Sequence, residues 1–244
     1  MRQPSPEASG AADTLLNVAA TCVGTRALGP GFRSVVWVQG CPFRCPNCIA
    51  PEWIPTQVAE LVDPVCLVAE LLGDPKVDGL TFSGGEPMAQ PAGLAMVARL
   101  ARQIRDLSVV CFTGYRLEQL RSWTAEPAVS DLLAEVDVLI DGRYVSARND
   151  GKGLRGSTNQ RVHYLTDRLR HTEHEFETGA RTAEIRVRDG AMILVGVPPS
   201  GLLGAFDLAA DRVRANVHAP HAGPGRRRSE GSDRSAPAGK GVSR

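Results

Sequence analysis

Three cysteines, Cys41, Cys45 and Cys48, stand four and then three residues apart in the stretch Gly40-Cys41-Pro42-Phe43-Arg44-Cys45-Pro46-Asn47-Cys48. Three thiolates from one loop can hold three irons of a 4Fe-4S cubane, leaving the fourth iron open to a ligand from outside the chain. Two other chemistries compete. A structural zinc site wants four ligands, yet Cys22, Cys66 and Cys111 show no paired spacing and the nearest histidine in sequence is His163. Cys45 and Cys48 alone form a C-P-N-C pair suited to thiol-disulfide exchange, which does not require Cys41. Further along, Ser83-Gly84-Gly85-Glu86-Pro87 offers glycines that let a ligand approach the backbone and a carboxylate that can accept hydrogen bonds from an ammonium. The plainer reading of Glu86 is a solvated loop acid.

These residues need elements to position them. Ser34 to Val38 (SVVWV) is a β-branched apolar run between Gly31 and Gly40 and predicts a buried strand with the cysteine loop directly after it. Asp63-Pro64 reads as the N-cap and first residue of a helix that Leu67 to Leu72 continue, with Gly73 in the left-handed position that ends it. Val77 to Phe82 predicts a second strand running into Ser83. Pro91 opens a helix whose Leu94, Val97, Ala98, Ala101 and Ile104 form one apolar face. Leu107 to Phe112 is a third strand, Leu117 to Trp123 a short helix, and Val136 to Ile140 a fourth strand. Strands that read as continuous apolar runs and alternate with helices imply an α/β fold with a mostly parallel sheet. Ligands bind such folds at the strand ends where these motifs fall.

After Arg161 the pattern changes. Glu184 to Arg188 alternates polar and apolar, Asp189-Gly190 is hairpin-turn chemistry, and Met192 to Val197 returns as a strand, so a C-terminal β-hairpin appendage is expected at about residues 182–198. Cys66 and Cys111 are expected to be small buried hydrophobes, and Trp37 and Trp53 to be packing residues.

Composition bounds the rest. A chain of 244 residues, 43% hydrophobic, can bury one sizeable core. Residues 1–13 and 211–244 are expected to be disordered, flanking a domain over 14–210. From Asp211 onward eight Lys or Arg face three Asp or Glu, against 20 and 24 before it. The folded part is thus mildly acidic and gives no support to nucleic-acid binding. The start of the chain has no apolar segment that could act as a signal peptide, six cysteines are too few for a disulfide-stapled scaffold, and no apolar run is long enough for a membrane span. A cytoplasmic protein without membrane attachment is the expectation.

The C-x3-C-x2-C spacing of Cys41, Cys45 and Cys48, with Gly84-Gly85-Glu86 at the end of the next strand, resembles the radical S-adenosylmethionine enzymes. Gly29-Pro30-Gly31-Phe32-Arg33, Gly40-Cys41-Pro42, Thr113-Gly114-Tyr115, Asp141-Gly142-Arg143-Tyr144 and Arg155-Gly156-Ser157-Thr158-Asn159-Gln160 narrow it. Together they look like the activating enzymes of anaerobic ribonucleotide reductase, over just more than half of the chain. Ile49 to Trp53 departs from that pattern, in which His-Asn often follows the third cysteine.

The resemblance implies a partial, open βα barrel and a 4Fe-4S cluster on the three cysteines. It also implies S-adenosylmethionine on the open iron, with Gly84, Gly85 and Glu86 at its amino group. Thr113, Asp141 and Asn159, with Arg155 and Gln160, would then meet the nucleoside, the carboxylate or a partner loop. The implied activity is cleavage of S-adenosylmethionine to a 5′-deoxyadenosyl radical that makes a glycyl radical on a partner enzyme, with flavodoxin or ferredoxin as electron donor. The alternatives are a radical enzyme acting on a small molecule or peptide, as in deazaguanine synthesis, and a non-enzymatic zinc or iron-sulfur binding module.

Overall fold

A computed structural model describes residues 15–188 and 191–199, with 201, 202, 204, 205, 208, 211 and 212 beyond them. The expected disordered stretch 1–13, the Asp189-Gly190 turn and all but two residues of the expected basic tail lie outside the described residues. The chain divides into two units, Met1–Leu202 and Leu203–Arg244. Of the second, the described residues are helical.

The first unit is built on a seven-stranded sheet. Its strands are β1 (Leu16–Thr25), β2 (Arg33–Val38), β3 (Glu60–Val62), β4 (Gly79–Gly84), β5 (Ser108–Thr113), β6 (Val138–Asp141) and β7 (Arg161–Tyr164), in the spatial order β3-β1-β2-β4-β5-β6-β7. The four central strands β2, β4, β5 and β6 run parallel, and β1, β3 and β7 are antiparallel at the two edges. Helices α1 (Pro64–Leu71), α2 (Pro91–Ile104), α3 (Leu117–Ser122) and α4 (Pro127–Glu135) connect the parallel strands, and a short α5 (Glu173–Glu177) follows β7. Strands β8 (Ala183–Arg188) and β9 (Ala191–Gly196) pair antiparallel in a separate two-stranded sheet.

Alternation along each strand sends successive side chains to opposite faces. Val36, Val38, Leu80, Phe82, Val109 and Cys111 turn toward a core completed by Leu67, Leu71, Leu94, Val97 and Leu132 of the helices. On the other face Val35 and Trp37 pack with Val195, and Val110, Val138 and Ile140 with Leu169 and Phe176. Residues C-terminal to β7 therefore cover the face that the helices leave free, which is why β2 is buried at all six positions.

Helix starts follow the local chemistry. Asp63 Oδ1 accepts from the Val65 N–H at 2.8 Å, and Pro64 occupies the first helical position, where its missing donor costs nothing. Four expectations need correction. Gly73 does not adopt positive φ; instead its N–H bonds the Glu70 carbonyl at 3.0 Å and closes the last turn tightly. The second parallel strand starts at Gly79, because the Val77 N–H is spent on a turn to Asp74 O and the pairing with β2 begins at Arg33↔Gly79. Ile104, placed on the apolar face of α2, is 66% exposed as the last residue of the helix. Cys66 is exposed rather than buried, since α1 turns Leu67, Val68 and Leu71 inward. Strand β1 and helix α4 were not legible, and β7, past the expected end of the sheet, completes its edge.

Candidate active site: the cysteine loop and the strand ends around it

Because β2, β4, β5 and β6 are parallel, their C-terminal ends open on one side, and each is followed by a stretch singled out from the sequence. The cysteine loop leaves β2 through Gly40, at φ +95°, a conformation that disfavours a side chain. Its ends are fastened: the Gly40 N–H bonds Trp53 O at 2.9 Å, the Cys41 N–H bonds Ile54 O at 3.0 Å, and Gln39 Nε2 bonds Pro55 O at 2.6 Å. Trp37 and Trp53 pack at 5.6 Å between ring centroids, so both are packing residues. Asn47 holds φ +58°, an αL position that Asn tolerates, and the Cys48 N–H returns to Cys45 O at 3.1 Å.

Cys41, Cys45 and Cys48 are all free and half-buried. Burial pushes the Cys41 thiol up to about 11 against a backbone N–H from Phe43. Burial also raises Cys45, opposed by the N–H of Tyr144 and the charge of Arg143. Unmetallated, Cys41 and Cys45 are held as protonated thiols, and a metal must draw those protons off. Among the described residues no three His, Cys, Asp or Glu come together as ligands for one metal ion. A single zinc at about 2.3 Å from each sulfur needs that convergence. A cubane is ligated corner by corner, one thiolate to an iron, and three free, half-buried cysteines in one loop supply that donor set.

Gly84 and Gly85 lie against this loop. Gly84 stands at φ +102°, and a Cβ on it would come within 2.5 Å of the Val38 nitrogen; one on Gly85 would sit 2.2 Å from Gly40 O. The Gly85 and Glu86 N–H groups donate to Val38 O at 2.7 Å and Gly40 O at 2.9 Å. The close approach that these glycines permit is thus first of all that of their own neighbouring strand. Glu86 is 1% exposed, so it is not the solvated loop acid of the plainer reading. Its Oε1 accepts from Thr113 Oγ1 at 2.8 Å and the Met88 N–H at 2.9 Å, and its Oε2 from the Gly114 N–H at 2.8 Å. Burial lifts the carboxyl to about 7, partly offset by those three donors. Glu86 and Thr113 are therefore brought together, tying the end of β4 to the end of β5.

Asp141 is fully buried at the end of β6. Arg116 Nη1 and Arg161 Nε reach Oδ1 at 2.9 and 3.1 Å, while the Leu117 N–H, Arg161 Nη2 and His163 Nε2 reach Oδ2 at 2.8, 2.6 and 2.8 Å. Burial works to raise its pKa, but these partners outweigh it and hold the carboxyl well below the usual range. Its oxygens are committed to joining β6, β7 and the start of α3.

The Arg155–Gln160 stretch clasps the loop after β6. Gln160 Nε2 donates to Gly142 O at 2.8 Å, Asn159 Nδ2 to Arg143 O at 2.8 Å, and the Val145 N–H to Ser157 Oγ at 3.1 Å. That loop in turn meets the cysteines: the Arg143 guanidinium lies 4.4 Å over the Phe43 ring, and Asn47 Nδ2 is 3.3 Å from Ser146 Oγ. Asn159 Oδ1 and Arg155 Nε are buried without a hydrogen-bond partner among the described residues. Sequence reading missed Phe43, which meets Tyr115 edge to face at 4.6 Å between ring centroids, and the Arg161–His163 grip on Asp141. An aromatic inside the cysteine spacing was the available signal for the first; nothing local signalled the second.

The geometry defines a class: a loop of three free cysteines at the C-terminal edge of a parallel sheet, suited to an iron-sulfur cluster. A model of the 4Fe-4S single cluster domain matches residues 27–163. The anaerobic ribonucleoside-triphosphate reductase-activating protein of Vibrio cholerae is 33% identical over 150 residues, covering 57% of this chain and 91% of that protein. Its namesake from Escherichia coli K12 is 32% identical over 148 residues, covering 56% and 91%. The pyruvate formate-lyase-activating enzyme of Clostridium pasteurianum is 32% identical over 138 residues, covering 52% of this chain and 54% of that enzyme. The chain belongs to this 4Fe-4S single-cluster family, alongside the activating proteins of anaerobic ribonucleoside-triphosphate reductase. Among the described residues no helix is long and apolar enough to cross a membrane.

Proposed function

We propose that this protein is a cytoplasmic radical S-adenosylmethionine enzyme that installs a glycyl radical on a partner of the anaerobic ribonucleotide reductase type. The observation that carries the reading is the junction of three free thiols in one loop with the glycine pair of the adjacent parallel strand, in a chain of this family. Residues 14–210 form the catalytic domain, its sheet serving as the wall of an open βα barrel with the β8–β9 pair as an appendage. Cys41, Cys45 and Cys48 would hold a 4Fe-4S cluster and leave one iron for S-adenosylmethionine. When bound and reduced, the pair supplies one-electron cleavage of the sulfonium to methionine and a 5′-deoxyadenosyl radical.

The chain's own part is positioning. Gly84 and Gly85 present backbone beside the cysteine loop for the methionine amino group. Glu86, with Thr113, holds that backbone in place, its oxygens already satisfied by β5. Asn159 Oδ1 and Arg155 Nε, buried and without partners among the described residues, are an acceptor and a donor, respectively, left for the cofactor. Asp141 and Gln160 act through the loops they fasten. A low-potential flavodoxin or ferredoxin delivers the electron.

The test is reconstitution without oxygen. The protein should bind about four irons and four sulfides per chain, release 5′-deoxyadenosine on reduction with S-adenosylmethionine, and give a protein-based doublet by electron paramagnetic resonance when mixed with its reductase partner. Cys45→Ala should abolish all three. Cofactor cleavage with no radical on any glycine-bearing partner would point instead to a small-molecule or peptide substrate.

A further inference from the structure

The family model ends at residue 163, and beyond it lies a charged group for which the proposed chemistry has no use. The Arg181 side chain is 1% exposed, and the nearest carboxylate oxygen, Asp150 Oδ1, is 4.0 Å away. Burying a cation with no close counter-charge is costly unless its donors are satisfied. Here they are satisfied by a loop. Nε donates to Gly153 O at 3.1 Å; Nη2 to Arg155 O at 2.7 Å, Gly156 O at 3.3 Å and Lys152 O at 3.4 Å; Nη1 to Asn149 Oδ1 at 2.7 Å and Pro198 O at 3.5 Å. A planar fork of five donors can gather the carbonyls of an irregular segment in a way an ammonium cannot.

The same segment is pinned from the α5 side. The Gly153 N–H donates to Gly179 O at 2.8 Å, the Leu154 N–H to Phe176 O at 2.9 Å, and Lys152 bridges to Ala180. Gly153, at φ +60°, approaches α5 so closely that a Cβ would sit 2.2 Å from Phe176 O. Phe176 is anchored in the core against Val110 and Val138. Loop 149–156 runs directly into Ser157–Gln160, whose side chains hold the backbone of Gly142, Arg143 and Val145, and that backbone borders Phe43 and Asn47 of the cysteine loop. An unbroken set of contacts leads from Arg181 to the cysteines.

We propose that residues 173–181 form a brace, with Arg181 as its positioning residue, that fixes the Arg155–Gln160 loop and through it the wall of the cofactor site. The brace stands on geometry alone; only its consequence for S-adenosylmethionine rests on the proposed function. Residues outside the matched family model thus shape the site.

The experiment compares wild type with Arg181→Met, which removes every donor, Arg181→Lys, which keeps the charge but loses the fork, and Asn149→Ala, which removes one acceptor of Arg181 together with the bonds of the asparagine side chain to the Gly151 N–H and the Tyr144 hydroxyl. Limited trypsinolysis of the cluster-free protein should cut after Arg148, Lys152 or Arg155 about tenfold faster in Arg181→Met, because opening this loop is then easier, with cleavage elsewhere unchanged except at position 181, where the substitution removes the trypsin site. Arg181→Lys should not restore protection, and Asn149→Ala should fall between. In reconstituted protein, Arg181→Met should keep its iron content but bind S-adenosylmethionine roughly tenfold more weakly, read from the perturbation of the reduced cluster's resonance. Unchanged loop cleavage in Arg181→Met, or full rescue by lysine, overturns the brace. Should Arg181→Met not fold, Asn149→Ala and Arg181→Lys decide the matter by the same cleavage pattern. A wild-type protein that takes up no cluster would sink the proposed function while leaving the proteolysis result to judge the brace.

Discussion

At the scale of the residue, Glu86 carries the most information, because its burial and its partners pull in opposite directions. Its carboxyl titrates near 7 in the folded chain against an ordinary value of 4.5. Between those values the folded protein holds a proton that the unfolded chain has released. The stability contributed by Glu86 is therefore fully present below about pH 4.5 and is lost as pH rises through about 7, an effect of up to about 3 kcal/mol. Urea denaturation of cluster-free wild type and Glu86→Gln at pH 5 and pH 8 checks this. The difference between the two proteins should shift against wild type at the higher pH, and a difference independent of pH would show the carboxylate to be ionised throughout. Asp141 illustrates the opposite sign: with a depressed pKa its contribution is present at neutral pH and fades only in strong acid. Both acids were legible as candidate site residues, but their partners were not. Thr113, Gly114, Arg161 and His163 lie 20 or more residues away along the chain, and no local spacing records such a meeting.

At the scale of the element, the site depends on how closely β4 can lie against the loop that leaves β2. Gly85→Ala places a methyl group 2.2 Å from the Gly40 carbonyl, backbone against backbone, where no rotamer change relieves it. Expected is a protein destabilised by about 2 kcal/mol or more, with iron uptake well below wild type in a colorimetric iron assay after reconstitution. Normal iron content would mean that the junction tolerates separation. The parallel strands were readable because burial on both faces leaves continuous apolar runs, and α1 because Asp63-Pro64 states its start. Strand β1 was not, since Asn17, Thr21 and Thr25 interrupt its apolar residues and two register shifts break its pairing with β2. Helix α4 begins at Pro127 without a side-chain cap and spans nine residues, too short for its periodicity to stand out.

At the scale of the whole molecule, one end of a parallel sheet gathers four loops, and residues after β7 cover the face that the helices leave bare. The motifs of the first part of the chain were visible because side-chain identity carries cluster chemistry. The contribution of the later part was hidden, because Arg181 works through backbone carbonyls that leave no trace in residue types. The account as a whole depends on one iron left open for S-adenosylmethionine. The most direct test is electron paramagnetic resonance of the anaerobically reconstituted, reduced protein with and without S-adenosylmethionine. The cluster signal is predicted to change shape on addition of S-adenosylmethionine and to be absent from Cys45→Ala. A signal indifferent to S-adenosylmethionine, or a chain that binds stoichiometric zinc in place of a cluster, would contradict the account.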